Sequence, residues 1–154
     1  MRARIDYKSV APGAYRAALA LEQYVAQSGL EPPLLELIRL RASQLNGCAW
    51  CIDMHTKEAR ALGETEQRLY AVVAWRDTPY FTDRERAALA WAESVTVLGD
   101  GFVPDAVYEE ARRSFTEEEL VDLTIAVAAI NVWNRLNVAF RTVPGDYQVR
   151  GREE

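Results

Sequence analysis

The chain has 154 residues, of which 49% are apolar and 27% are charged. This composition supports one folded domain with a sizeable core and excludes a largely disordered or repetitive chain. A formal net charge of -5 and a pI near 5.0 argue against nucleic acid or anionic lipid as a partner, because both require clustered basic residues. We therefore expect a single domain over residues 1–154.

The pattern of hydropathy carries no sign of a membrane protein. The first seven residues contain no apolar stretch of secretory length, and the most apolar later run, Leu123 to Ile130, is too short to span a bilayer. The sequence therefore predicts a cytoplasmic protein with no membrane partner.

Apolar residues recur at helical spacing almost throughout, and no stretch shows the alternation typical of a strand. The sequence therefore predicts an all-α, single-domain bundle of about six to seven helices. The predicted helices cover about residues 14–27, 34–45, 48–62, 66–75, 82–97, 104–113 and 117–140. The last is apolar on more than one face, which favours the domain centre or a subunit interface. From Arg141 the polar tail is expected to fray.

Local signals mark several helix ends. Thr82 to Glu85 and Thr116 to Glu119 have the spacing of capping boxes, in which threonine and glutamate satisfy the free amides of a helix start. Pro104 suits the first position of its helix. On the second helix, the periodicity predicts that Arg39 and Arg41 point to solvent.

The two cysteines of the chain lie three positions apart, in Cys48-Ala49-Trp50-Cys51. A disulfide across two residues removes little entropy from the unfolded chain, so a structural staple is disfavoured. In a reducing compartment such a pair is typical of redox catalysis or metal binding. This pair opens the third predicted helix.

The single histidine, His55, follows Cys51 by four positions. At about 100° per residue, a helix starting at Cys48 places Cys48, Cys51 and His55 on one face. A helix N-terminus, an imidazole and a second thiol each favour a reactive thiolate. A thiolate that reduces a peroxide becomes a sulfenic acid, which a neighbouring thiol converts to a disulfide.

Other interpretations of these residues remain open. The cysteines could be small buried residues, and His55 could have a structural role. Zinc is the main alternative, although the chain offers one cysteine pair and one histidine, so a fourth protein ligand would be a carboxylate. Glu36 taken alone is typical of a solvated helix residue.

Taken together, three segments resemble the alkylhydroperoxidase D and carboxymuconolactone decarboxylase superfamily. They are Glu36 with Cys48 to Gly63, Thr82 to Leu89, and Ile130 to Leu136. The similarity extends from about residue 10 to residue 142. It implies an all-helical fold with the redox core at about residues 32–98, and a homo-oligomer, often a trimer or hexamer.

The resemblance also implies roles for individual residues. Cys51 would be the peroxidatic thiol and Cys48 the resolving thiol, with Glu36 and His55 as a proton relay. The decarboxylase branch generally lacks the cysteine pair, so lactone decarboxylation is disfavoured. The best-known peroxidase branch has a second histidine where this chain has Trp50.

From the residues alone, Cys48 has the stronger interaction with the helix dipole, whereas Cys51 lies nearer to His55. The histidine and the resemblance together favour Cys51. Asn131, Asn134 and Arg135 resemble structural positions of the superfamily.

The sequence thus predicts a thiol-dependent peroxidase that acts on hydroperoxides, with no cofactor and no resident metal. A thioredoxin-like protein, a lipoyl protein or a small thiol would have to reduce the disulfide after each cycle. The alternative is a non-enzymatic oligomer that senses oxidation or binds zinc.

Overall fold

A computed structural model describes residues 1–149 of the chain, and the regular structure within them is entirely helical. The elements are α1 (Tyr7–Val10), α2 (Pro12–Val25), α3 (Pro32–Leu45), α4 (Ala49–Ala61), α5 (Glu66–Ala71), a 3₁₀ helix (Val72–Asp77), α6 (Asp83–Thr96), α7 (Asp105–Ser114) and α8 (Glu117–Phe140). The all-α prediction is confirmed. The described part has one more α-helix than predicted because α1 is a single turn with no apolar period to reveal it.

The predicted helix ends lie within two residues of the observed ends, except that the helix predicted over 66–75 is α5 followed by the 3₁₀ helix Val72–Asp77. Both capping boxes form, at Thr82 on α6 and at Thr116 on α8. Gly47 follows α3 with a φ of 65°, a left-handed conformation that costs glycine little. Pro104 has extended backbone and is the residue before α7, whereas the sequence predicted it as the first helical residue.

The core is organised around α3, which contributes side chains to two apolar clusters. Ile38 packs with Leu123 and Val127 of α8 in one cluster. Leu37 and Leu40 pack with the 3₁₀ helix and α6 in the other. Because apolar side chains pack on both sides of α3, its C-terminal end and the chain segment that follows it are held at a fixed position.

The prediction that Arg39 and Arg41 point to solvent is wrong. Each side chain is only 13% exposed and ion-paired with a glutamate from another helix. A helix at the centre of a bundle has no fully solvated face, so its arginines need acidic partners.

Helix α8 packs against α2, α3 and α6. Its length and its mean hydropathy of 1.3 would by themselves allow it to cross a membrane. Three polar residues of this helix, Asp122, Asn134 and Asn137, are nevertheless buried and bond to other parts of the chain, as when Tyr24 donates to Asp122 Oδ1 at 2.6 Å. These contacts are those of the central helix of a bundle.

Asparagines fasten α8 to the end of α3. Asn46 Nδ2 donates to Oδ1 of both Asn131 and Asn134, at 2.9 and 2.8 Å. Asn134 donates in turn to Ser43 Oγ at 3.0 Å. These bonds support a structural role for both α8 asparagines and set the position of α8 beside the cysteine pair.

The segment after α8 does not fray at Arg141, so that prediction is wrong. The chain turns there and runs along α4, where Gly145 N–H donates to Asp53 Oδ2 at 3.1 Å. Lys57 Nζ donates to the carbonyl of Tyr147 at 3.0 Å. The tail is therefore tied to the same helix that begins at the cysteine pair, and residues 150–154 lie outside the described part.

Candidate redox site

The cysteine pair lies where α3 turns into α4. Gly47 ends the turn, and Cys48 is the residue before the first turn of α4, with its N–H donating to Ser43 O at 2.9 Å. Cys51 lies within that first turn. The two residues form a disulfide with their Cα atoms 5.4 Å apart, and each is only 1% exposed.

A cavity of about 420 Å³ lies against Cys51, between α1, α2, α3, α4 and α8. Cys51 and His55 both line it, as the shared helix face predicts. Cys48 is not among its lining residues and packs instead with Ala42 and Ile130. The prediction that all three residues share one face therefore holds only for Cys51 and His55, because Cys48 precedes the first helical turn and its backbone is extended.

Four tyrosine and tryptophan rings form part of the cavity wall. It includes the rings of Tyr7, Tyr15, Trp50 and Trp133, together with Leu19 and Met54. Trp50 stands where the resembling peroxidase branch has a histidine, and its ring contacts that of Tyr147 with the centroids 6.0 Å apart. At this position the chain has an apolar surface instead of a proton carrier.

Glu36 and His55 meet at the buried end of the cavity. Glu36 Oε2 lies 2.7 Å from His55 Nδ1, and each residue is 6% exposed. Burial by itself would raise the pKa of Glu36, but the hydrogen bond to His55 and the charges of His55 and Arg39 outweigh it and lower the pKa. An ionised Glu36 assigns the proton of a neutral imidazole to Nδ1 and leaves Nε2 free to accept one.

Arg39 holds Glu36 from the other side. Its guanidinium donates to Glu36 Oε1 at 2.8 Å and to Glu22 Oε2 at 2.7 Å. Glu22 Oε1 accepts from Trp133 Nε1 at 3.0 Å. Both oxygens of Glu36 are thus occupied, which fixes the carboxylate and through it the His55 ring.

Two residues that the sequence analysis did not single out complete the surroundings of Cys51. Asn137 Nδ2 donates to Cys51 Sγ at 3.4 Å, and Asn137 Oδ1 accepts from the Tyr7 hydroxyl at 3.1 Å. The one available signal was a polar residue on the apolar α8, one turn after Asn134. That signal does not reveal the partner, which lies 86 positions away in the chain.

Within residues 1–149, no group of three or more His, Cys, Asp or Glu side chains is arranged to hold a metal ion. Cys51 borders the cavity together with His55, Glu36 orients His55, and the Cys51 sulfur is bonded to that of Cys48. Such an arrangement can transfer a proton and can cycle between dithiol and disulfide.

Comparison with known proteins identifies the family of the chain. Residues 12–94 match the model of the carboxymuconolactone decarboxylase family. The chain belongs to this family. It is 42% identical over 139 residues to the uncharacterised protein YdfG of Bacillus subtilis, covering 90% of this chain and 95% of that protein.

Solved structures share the fold. A protein of unknown function from Agrobacterium tumefaciens, whose name suggests an antioxidant defence protein of the AhpD type, is 44% identical with a TM-score of 0.91. The alignment covers 95% of this chain and all of that one. A peroxidase-related protein from Ralstonia eutropha, described as an alkylhydroperoxidase AhpD core, is 24% identical with a TM-score of 0.79, over 90% and 74% of the two chains. The alkylhydroperoxidase-like fold is thereby established.

Proposed function

We propose that this protein is a thiol-dependent peroxidase that reduces hydroperoxides through a dithiol–disulfide cycle of Cys51 and Cys48. The observation that carries the proposal is the position of Cys51. Cys51 lines the cavity together with His55, and Glu36 Oε2 lies 2.7 Å from Nδ1 of His55. The AhpD-type names of the related structures support the same chemistry.

In the first step, the Cys51 thiolate attacks one peroxide oxygen, which breaks the O–O bond and forms a Cys51 sulfenic acid. The departing oxygen leaves as an alcohol or water after taking one proton. The Cys51 thiol supplies that proton through His55 Nε2, since Glu36 keeps the other ring nitrogen protonated. One two-electron reduction of the peroxide is then balanced by oxidation of one sulfur.

In the second step, the Cys48 sulfur attacks Cys51, releases water and closes the disulfide. The three-residue separation and the disulfide between the two residues support this step. An external dithiol must then return two electrons. A thioredoxin-like protein or a lipoyl protein is the class of donor that carries a dithiol of this kind.

The cavity favours an organic hydroperoxide over hydrogen peroxide. Its volume of about 420 Å³ and its four aromatic rings suit an apolar body larger than two oxygen atoms. Hydrogen peroxide has no apolar surface that could gain binding free energy by contact with these rings. The substrate class we propose is therefore a hydroperoxide with an apolar, ring-sized substituent.

Consumption of cumene hydroperoxide and hydrogen peroxide with dihydrolipoamide as the reductant tests this function. We expect turnover with both, a lower KM for cumene hydroperoxide, and loss of turnover in Cys48→Ser and in Cys51→Ser. Failure to consume either peroxide, with thiols that remain free after peroxide treatment, would contradict the proposal. Stoichiometric zinc in the purified protein, together with unreactive thiols, would support the non-enzymatic alternative instead.

A further inference from the structure

The amide of Asn137 is the polar group from outside α4 that bonds to the sulfur of Cys51. Asn137 is 3% exposed, and its Nδ2 donates to Cys51 Sγ at 3.4 Å. A sulfur in a disulfide is a weak acceptor, whereas a thiolate carries a full negative charge. The same bond therefore becomes stronger when Cys51 is reduced and ionised.

An asparagine amide can present either its NH₂ group or its oxygen to a neighbour, and the two orientations have opposite effects on a thiolate. Here the Tyr7 hydroxyl donates to Oδ1 at 3.1 Å, which turns the NH₂ group toward Cys51. Burial, together with the nearby Tyr15 and Asp6, raises the pKa of Tyr7. The hydroxyl therefore keeps its proton and remains a donor over the working pH range.

We propose that Asn137 is a catalytic residue that stabilises the Cys51 thiolate, and that Tyr7 is a positioning residue that sets the orientation of the Asn137 amide. The inference rests on the proposed function, because it takes Cys51 as the thiol that attacks the peroxide. It adds a second source of thiolate stabilisation, on α8, to that of His55 on α4.

The competing explanation is that Asn137 merely fastens the N-terminal segment to α8. A matched bond elsewhere separates the two explanations. The Tyr24 hydroxyl donates to Asp122 Oδ1 at 2.6 Å and also joins an N-terminal helix to α8, but neither residue lines the cavity. Loss of the bond between Tyr24 and Asp122 removes a similar contact between an N-terminal helix and α8, but leaves the residues around the Cys51 sulfur unchanged.

The experiment measures the rate at which iodoacetamide alkylates Cys51 as a function of pH, in reduced protein carrying Cys48→Ser. Three further variants are compared in that background: Asn137→Leu, Tyr7→Phe and Tyr24→Phe. Tyr7→Phe keeps the ring contacts with Tyr15 and Phe140 and removes only the hydroxyl. The limiting rate at high pH reports access to the sulfur, and the midpoint reports the stability of the thiolate.

We expect Asn137→Leu to raise the midpoint by about one pH unit, because the charged thiolate loses one hydrogen bond. At pH values below the midpoint, the alkylation rate should then be about tenfold lower. Tyr7→Phe should raise the midpoint by a smaller amount, and Tyr24→Phe should not change it. Circular dichroism checks that each variant is folded.

The other charged and titratable groups at the cavity remain in place in all of these variants: Lys8, Tyr15, Glu22, Glu36, Arg39, His55 and Glu58. A shift of the midpoint in Asn137→Leu therefore reports the amide itself.

An unchanged midpoint in folded Asn137→Leu would overturn the role of Asn137, and an unchanged midpoint in Tyr7→Phe would overturn the role of Tyr7. If Asn137→Leu fails to fold, Tyr7→Phe decides the proposal alone, and an unchanged midpoint there would overturn the roles of both residues. Alkylation requires no peroxide turnover, so the result does not depend on the hydroperoxide assay. A protein that shows the midpoint shifts but consumes no peroxide would contradict the proposed function and retain only the stabilisation of the Cys51 thiolate by Asn137.

Discussion

Glu36 and His55 are separated by 19 positions in the chain, yet a carboxylate oxygen of Glu36 lies 2.7 Å from Nδ1 of His55. The two helices that carry them, α3 and α4, are joined by the turn that contains Gly47 and Cys48. The same turn thus brings the carboxylate to the histidine and places the cysteine pair at the start of α4. Catalytic importance of this contact can be tested by removing either partner.

We expect His55→Ala to lower kcat/KM for hydroperoxide about a hundredfold while the fold is retained, because a positioned base contributes at least that factor. Glu36→Gln should lower it about tenfold, since the amide keeps the shape of the side chain but orients the imidazole less firmly. Steady-state peroxide consumption measures both. Unchanged kinetics in folded His55→Ala would assign the histidine to a structural role.

Glu93→Gln is the matched control for Glu36→Gln. Glu93 is likewise paired with an arginine of α3, Arg41, but it is only partly buried and does not line the cavity. The activity of the Glu93→Gln variant should stay within about twofold of that of the wild type at temperatures where the variant is folded. An equal loss of activity in both glutamine variants would mean that helix packing, and not the relay, accounts for the effect.

We expect Cys51 to form the sulfenic acid and Cys48 to resolve it. Cys51 lines the cavity with His55, whereas Cys48 is not among the residues that line it. Cys48→Ser and Cys51→Ser are each treated with one equivalent of hydroperoxide and a sulfenic-acid probe, and mass spectrometry locates the adduct. Labelling of Cys48 in Cys51→Ser, with none of Cys51 in Cys48→Ser, would reverse the assignment.

Glu93 should make the stability of the fold sensitive to acid. It accepts hydrogen bonds from Arg41 Nε at 2.6 Å and from Trp75 Nε1 at 2.9 Å, and it pairs with Arg76. Burial opposes ionisation of Glu93, but these bonds and charges outweigh burial and lower its pKa. Its stabilising effect is therefore complete above the unfolded pKa of roughly 4.3 and is lost as pH falls through the lower folded pKa.

Accordingly, Glu93→Gln should lower the free energy of unfolding by about 1–2 kcal/mol at pH 7. The difference from the wild type should shrink as pH falls below roughly 4, because protonation removes the same charge from the wild type. Urea unfolding between pH 7 and pH 3 measures both quantities. A difference that stays constant down to pH 3 would show that the charge of Glu93 is not the source of the stability.

We expect the protein to be a homo-oligomer in solution. Within the single chain α8 leaves three valines exposed, Val121, Val132 and Val138, at 58%, 37% and 47%. Burial of such residues between subunits is favourable at about 25 cal/mol per Å². Light scattering at micromolar concentration should give a multiple of 17.4 kDa, with a trimer or hexamer expected from the resemblance. A monomer mass would refute the prediction.

The sequence by itself determined most of the helices and the shared face of Cys51 and His55. Helix positions follow from apolar periodicity, and the ends of α6 and α8 follow from the Thr82 and Thr116 capping boxes, all of which act over a few residues. The placement of Cys51 and His55 on one face is equally local, because four positions make about one helical turn.

The tertiary structure alone decided which distant side chains meet at the site. Arg39 is predicted to be exposed when α3 is considered alone, but in the folded chain it is paired with Glu22 of α2, 17 positions away. The Tyr7 and Asn137 pair is separated by 130 positions, and its contact depends on how α1 lies against the end of α8. Periodicity gives the face of a helix but neither its partner nor the angle of packing, so contacts that depend on helix packing could not be derived from sequence.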